Sequence, residues 1–182
     1  MKYLLYILTS VLLLGLISLY AIQKNISNNL KVEKKVVEKA WLDFNEKLQE
    51  RDMLFESQSK NNTDSLSILL LKSKSERTNK NNSMEIVFKE YQLNEYITRN
   101  LLKTNKKIGP LNWQLNVLKN KYNATVKDYN IYFTVFPNFF VAKKMGLKKA
   151  NYFEIMYGSE NRNPILVANE LPEWANNVDT IL

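Results

Sequence analysis

Three acidic residues in the first half of the chain have the types and the spacing that metal chemistry would need. Asp43, Glu46 and Glu50 lie three and four residues apart, so a helix would place them on one face. A di-metal site in a helical bundle adds Glu-x-x-His motifs from other helices, and the chain contains no histidine. We therefore interpret these side chains as solvated acids.

The composition also excludes most other catalytic centres. The chain has neither cysteine nor histidine, which removes disulfides, thiolate and imidazole metal ligands, and every catalytic triad or dyad built on those residues. The sequence shows no phosphate-cradling glycine loop and no exposed-nucleophile turn. We predict that the protein is not an enzyme and that it uses no cofactor and no metal.

Two Tyr-Asn pairs are the most regular polar feature. Tyr122-Asn123 and Tyr129-Asn130 are seven residues apart, so on one helix they form two rows beside an apolar stripe. An amide there can bind a group of the neighbouring helix, and a tyrosine can bury its ring while its hydroxyl finds a partner. Setting helix register is the favoured interpretation, and ligand binding is the alternative.

One arginine occupies an apolar position. Arg51 lies in the stripe between Leu48 and Phe55, where its side chain must either extend to solvent or meet a carboxylate or amide. We favour the solvent-directed conformation. Asp128 and Glu90 are the possible partners in the other case.

Helices must position these groups, because apolar residues recur at steps of three and four over most of the chain. Four glycines and four prolines in 182 residues disfavour an all-β fold. We predict helices over 30–60, 65–76, from 82 or 83 to 101, and 111–137, and hence an all-α fold with an antiparallel long-helix bundle of about four helices after an N-terminal transmembrane helix. The predicted stripe of the last helix is Leu111, Leu115, Leu118, Tyr122, Thr125, Tyr129, Tyr132 and Phe136, with Asn116, Lys119, Asn120, Lys127 and Asp128 on the opposite face.

Residues 3–23 carry no charge and match the roughly 20 residues that a helix needs to cross a bilayer core. Their apolar run exceeds the roughly 7–15 residues of a signal-peptide core, so we predict a retained transmembrane helix. We expect a polar hinge at 25–29. The expected domains are an anchor over 1–24, a helical bundle over 25–157 and a mostly irregular tail over 158–182.

The lysine distribution predicts an orientation. Lys24, Lys31, Lys34 and Lys35 follow the apolar segment closely, whereas Lys2 alone precedes it. Positive residues favour the cytoplasmic side. We therefore expect a single-pass protein of the cell membrane with a short outside N-terminus and a cytoplasmic body.

A basic and aromatic segment follows the last predicted helix. If that helix returns towards the bilayer, residues 139–149 would meet the membrane surface. A segment folded back on the bundle with solvated lysines remains the alternative. The residues that would contact the membrane are Phe139, Phe140, Lys143, Lys144, Lys148 and Lys149. The net charge of +8 also suits nucleic acid, but the lysines are dispersed among acids and no binding motif is present, so we expect no nucleic-acid partner.

The ordered set of motifs resembles the LemA family. In the C-terminal half these are residues 122–130, then Phe136-Pro137-Asn138, Ala142, Gly146 and Tyr152-Phe153-Glu154; in the N-terminal half they are Asn29-Leu30, Ala40-Trp41, Leu48, Arg51 and Leu54. The resemblance covers 3–54 and 117–154. It does not extend to the middle, and Phe55-Glu56-Ser57-Gln58 stands where the family has Ile-Pro-Asn-Leu. The signature residues are Trp41, Arg51, Tyr122, Asn123, Val126, Tyr129, Asn130, Phe136, Pro137, Gly146 and Phe153.

The resemblance implies one transmembrane helix and an antiparallel helical bundle, with the small N-terminus outside the cell. The family has no agreed biochemical activity. We expect a non-catalytic scaffold or adaptor for an envelope protein partner, which would bind the polar outer face of the bundle or the tail. The alternative is lipid-surface sensing or organisation through residues 139–149. The sequence leaves the oligomeric state open.

Overall fold

The computed structural model describes residues 2–57, 64–79, 83–103 and 105–159. These residues form five helices and no strand, which confirms the predicted all-α class. Position 82, the alternative start of the third helix, and the tail from residue 160 lie outside the described residues. The helices are α1 (Lys2–Glu56), α2 (Ser65–Asn79), α3 (Ser83–Asn100), α4 (Ile108–Thr134) and α5 (Asn138–Lys144).

The first helix is longer than predicted. α1 runs without a break through residues 25–29, so the expected hinge is wrong. That stretch contains no glycine or proline to stop a helix, and Ile26 and Leu30 are buried at helical spacing. Burial of that face stabilises the helix more than the weak helix propensity of three asparagines opposes it.

The chain divides into two compact units, and α1 and α4 contribute to both. The first unit comprises Met1–Lys39 and Ala124–Ala150, and the second comprises Ala40–Asn123 and Asn151–Leu182. The first unit has a small apolar core that begins directly after the uncharged run of α1. Its buried members are Ile26, Leu30, Val37, Val126, Tyr129, Phe133, Val141 and Ala142.

The second unit has a larger core, in which α2 packs on α3. One apolar cluster joins α1, α2, α3 and the start of α4 through Phe55, Leu66, Leu70, Leu93, Ile97 and Ile108. A second cluster is aromatic. The ring of Phe44 lies 5.8 Å from Trp41 and 5.2 Å from Phe153, both edge to face, the geometry that aromatic pairs prefer.

The segment 147–157 has no regular secondary structure, and asparagines of α4 bind its backbone. In the second unit, Asn123 Nδ2 donates to the carbonyl of Phe153 at 3.0 Å, and the Phe153 N–H donates to Asn123 Oδ1 at 2.9 Å. Asn116 binds Tyr157 in the same two-sided way, at 3.0 and 2.9 Å. Each amide replaces the partner that a neighbouring strand would otherwise supply.

The same arrangement occurs in the first unit. Asn130 Nδ2 donates to the carbonyl of Ala150 at 2.8 Å and accepts from its N–H at 2.9 Å, while the hydroxyl of Tyr129 donates to the carbonyl of Lys148 at 2.9 Å. The Tyr-Asn rows therefore fix the position of a neighbouring segment along α4. Their partner is this extended segment, and the expectation that they bind a neighbouring helix is wrong.

The buried face of α4 is rotated from the predicted stripe. Lys119, expected on the polar face, is buried, and Val126 and Phe133 take inward positions. Phe136, expected to pack, is 78% exposed, because α4 ends at Thr134 and the following turn leaves the helical register.

Replacing Asn123 with leucine tests the amide pairing. Asn123→Leu leaves the N–H and the carbonyl of Phe153 without partners, so we expect the free energy of unfolding to fall by about 2–3 kcal/mol. Urea denaturation of the detergent-solubilised chain measures this change. Asn120→Leu, at an exposed position of the same helix, is the control and should stay within about 0.5 kcal/mol. Equal effects of the two substitutions would contradict the pairing.

Candidate functional site

The second unit contains a buried cluster of ionisable side chains. Arg51 and Asp52 come from α1, Arg77 from α2 and Glu90 from α3, and Tyr157 of the extended segment completes the cluster. Two guanidinium groups and two carboxylates cancel in formal charge. Burial of four charges is tolerated only where each finds opposite charge and hydrogen bonds.

The geometry meets that requirement. Arg51 forms ion pairs with both carboxylates, through Nη1 to Glu90 and through Nη2 to Asp52 at 2.7 Å. Arg77 also bridges both, at 2.8 Å from Nη1 to Glu90 and through Nη2 to Asp52. The hydroxyl of Tyr157 donates to Glu90 Oε1 at 3.2 Å. Three helices and the extended segment are thus joined by charge-assisted hydrogen bonds.

The cluster favours the charged forms of Glu90 and Arg51 and the neutral form of Tyr157. Burial by itself would raise the pKa of Glu90, but the charges of Arg51 and Arg77 outweigh it and lower that pKa to about 2. Burial would lower the pKa of Arg51, but the carboxylates of Glu90 and Asp52 raise it above the normal value. Burial and the charge of Glu90 raise the pKa of Tyr157 well above 10. None of these three groups can exchange a proton near neutral pH, so the arrangement suits structure rather than acid-base catalysis.

The predicted solvent-directed conformation of Arg51 is wrong. Its side chain is 1% exposed. Of the two partners considered from the sequence, it pairs with Glu90. Asp128 is an exposed residue of α4 in the first unit. We favoured exposure because removing a guanidinium group from water costs free energy. Ion pairs with two acidic side chains compensate that cost for Arg51.

The three acids that suggested a metal do not converge. Asp43 pairs with Lys121 at 3.3 Å, and Glu50 pairs with Lys47 within α1. Among the described residues no group of three acidic side chains is arranged to hold a metal ion.

Lys119 is a buried amine that the sequence had placed on the polar face. Burial lowers its pKa, and the carboxylate of Glu154 opposes that shift. Its Nζ lies 3.5 Å from the sulfur of Met156. The stem of this lysine therefore covers apolar surface next to the extended segment.

The signature residues of the second unit lie together around the extended segment. The Trp41 ring lies 5.3 Å from that of Tyr122 and 5.6 Å from that of Phe153. The Tyr122 hydroxyl donates to the carbonyl of Asn151 at 2.8 Å, and burial raises the pKa of Tyr122 to about 12. These residues pack and pair with each other.

The signature residues of the first unit have mixed roles. Val126 is fully buried, and burial together with the charge of Glu38 raises the pKa of Tyr129. Pro137 precedes α5. Gly146 has a φ of +66°, a left-handed conformation that glycine adopts without strain, and it ends α5 before the extended segment.

The six residues predicted to contact a membrane fall into two groups, all within the first unit. Phe139 is half-buried, whereas Phe140, Lys143 and Lys144 of α5 are exposed. Lys148 and Lys149 instead line an open cleft of about 380 Å³ with Lys34, Val37, Glu38, Tyr129, Gly146, Leu147 and Ala150. Their contact with a membrane stays a prediction.

Several residues of these sites were not identified from the sequence, although for some of them the sequence contains a recognisable pattern. Asn116 precedes Asn123 by seven residues and continues its row. Burial alternates at Phe153, Ile155 and Tyr157, the two-residue period of an extended segment. Asp52 and Arg77 had no signal, because a buried charge is recognised only from its partners on other helices.

Comparison with known proteins confirms the resemblance to the LemA family. The model of the LemA family matches residues 71–168, more than half of the chain. The span includes both Tyr-Asn pairs and all of α3, a part of the middle that the resemblance had not covered. Residues 3–54, which the resemblance included, lie outside it. No curated protein and no solved structure matches the chain.

Removing one charge of the cluster should be strongly destabilising. Glu90→Gln leaves two buried guanidinium groups with one carboxylate, so we expect a loss of about 3–5 kcal/mol in the free energy of unfolding at neutral pH. Chemical denaturation followed by circular dichroism measures it. Glu95→Gln, on the same helix but in a more exposed pair with Arg99, should change stability by less than about 1 kcal/mol.

Glu90 should also make the free energy of unfolding depend on pH in the acidic range. The pKa of Glu90 is lowered in the folded state, so its contribution is present above the unfolded value of about 4.5 and is lost as pH falls towards 2. We expect the stability difference between the native chain and Glu90→Gln to shrink over that interval. Denaturation curves of both proteins at stepwise lower pH test this. A difference that stays constant from pH 6 to about 2.5 would contradict the assignment.

Proposed function

The chain belongs to the LemA family, and on that premise we propose that it is a membrane-anchored helical adaptor for an envelope protein, without catalysis of its own. The proposed location is the cell membrane, with a single pass, the N-terminus outside and the body cytoplasmic.

The apolar part of α1 supports the anchor. It is the one described segment whose length and composition suffice to cross a membrane, and the apolar window is fully exposed. A core helix would bury such a surface in its own protein, whereas this one has a surface that lipid can cover. The excess of lysines after the apolar run supports the orientation.

The state of the ionisable groups supports an adaptor over an enzyme. The cluster formed by Arg51, Asp52, Arg77 and Glu90 directs its charges at each other. An active site instead needs a group poised to exchange protons or attack a substrate next to an accessible cavity.

One exposed aromatic residue carries the proposal. Trp113 of α4 is 67% exposed, and Val117, one turn later, is exposed as well. Tryptophan is enriched among the residues that dominate binding energy at protein interfaces, and burying its exposed ring against a partner removes apolar surface from water. We assign the partner surface to this face of α4.

Site-specific photo-crosslinking in cells tests the adaptor. A benzophenone amino acid at position 113 should give a discrete adduct with one envelope protein, because the partner covers that side chain. Gln114, also exposed and about 100° further round the helix, is the matched control position. The adducts are identified by mass spectrometry.

A second variant separates binding from proximity. With the crosslinker at Val117, Trp113→Ala should abolish the adduct while leaving stability within about 0.5 kcal/mol, since the replaced side chain is exposed. Identical adducts at 113 and 114, or an adduct at 117 that survives Trp113→Ala, would overturn the adaptor assignment.

A further inference from the structure

We propose that α5 and the turn before it form a contact surface for anionic phospholipid headgroups, held at headgroup depth by α1. We call Phe136, Phe140, Lys143 and Lys144 the α5 surface. This function goes beyond the adaptor role and does not need the protein partner.

The aromatic half of this surface points away from the first unit's core. Phe136 and Phe140 are 78% and 62% exposed, and their rings meet at right angles with 6.0 Å between centroids. Val141 and Ala142 on the opposite side of α5 are buried. The short helix is therefore amphipathic, with its inner side fixed and two rings exposed.

The charged half lies in the last turn of the same helix. Lys143 and Lys144 are both exposed, and Lys143 Nζ lies 6.0 Å from the ring centroid of Phe139. Aromatic rings beside lysines are the composition of interfacial segments: the rings enter the boundary between headgroups and acyl chains, and the ammonium groups meet lipid phosphates. The charge of this surface thus selects an anionic bilayer as its occupant.

The buried core of the first unit begins close to the end of the uncharged run. Side chains of α1 are exposed through Asn25, and Ile26, three residues or about 4.5 Å beyond Gln23, is the first buried one. The folded part of this unit therefore reaches the headgroup layer, which extends roughly 5–7 Å beyond the hydrocarbon core on each side.

Within this unit, α4 runs from the cleft towards the uncharged run of α1. Tyr129 lines the same cleft as Lys34 and Val37. Lys121 pairs with Asp43, whereas Tyr129, later in α4, lies with earlier residues of α1, so the two helices are antiparallel. The remaining five residues of α4 to Thr134 therefore advance roughly 7 Å from there towards Gln23. The α5 surface follows directly, so its rings and ammonium groups come within side-chain reach of the headgroups.

The continuity of α1 fixes this depth. A hinge after the apolar run would have let the first unit swing away from the bilayer, but the helix is unbroken from Lys2 to Glu56. The same distance along α1 excludes Lys148 and Lys149 of the cleft from contact with the headgroups. They lie with Lys34, which is eleven residues or roughly 16 Å beyond Gln23 and so above the headgroup layer.

Depth measurements on spin-labelled full-length chain in vesicles test the proposal. The chain has no native cysteine, so a nitroxide is attached at Phe140→Cys or, as a matched control, at Val36→Cys. Val36 is an exposed apolar residue of the first unit, thirteen residues or about 20 Å beyond Gln23. Vesicles are made of phosphatidylcholine alone or of an equimolar mixture with phosphatidylserine.

We expect the label at 140 to be several-fold less accessible than that at 36 to a water-soluble nickel complex, and more accessible to lipid-dissolved oxygen. Phosphatidylserine should strengthen this difference, and Lys143→Gln with Lys144→Gln should remove the strengthening. Labels with equal accessibility at both positions overturn the proposal. Protection that is the same in both lipids overturns the assignment to anionic headgroups. The measurement contains no protein partner, so its result is independent of the crosslinking at Trp113.

Discussion

Mutual neutralisation of two guanidinium groups and two carboxylates is the constraint on which the second unit depends. Arg51, Asp52, Arg77 and Glu90 come from three helices, and none of them could be buried without the others, since an isolated charge in an apolar interior loses several kcal/mol of hydration. Apolar contacts of α2 on α3 are not directional and do not by themselves select one register. The ion pairs do, because their bonds form in one register only.

Side-chain amides solve a second problem, which is the backbone of residues 147–157. An extended segment that is packed against helices has N–H and carbonyl groups that neither a helix nor a sheet satisfies. Asn116 and Asn123 in the second unit, and Asn130 in the first, each supply one donor and one acceptor. The segment can therefore fill the space beside α4 with Phe153, Ile155 and Tyr157 and still leave these backbone groups paired.

The unbroken first helix links these interactions to the proposed function. A rigid connection between an apolar segment and a folded body determines the height at which every exposed group of the first unit is presented. The proposed adaptor role and the proposed headgroup contact use different surfaces, Trp113 on α4 and Phe140 on α5.

The sequence by itself determined what depends on local periodicity and composition. The all-α class, the apolar span, the second half of α1 and the helices α2 to α4 followed from composition and from steps of three and four residues, because each helix repeats its faces along the chain. What depends on other elements was decided only by the tertiary structure. Arg51 is buried because Glu90 and Arg77 arrive from other helices, and the asparagines pair with an extended segment because it follows Gly146 back along α4. Phe136 is exposed because α4 ends two residues earlier. The periodicity of a sequence indicates which residues share a face of a helix. The free energy of burying a charge or exposing a ring depends instead on which residues of other elements lie next to it in the fold.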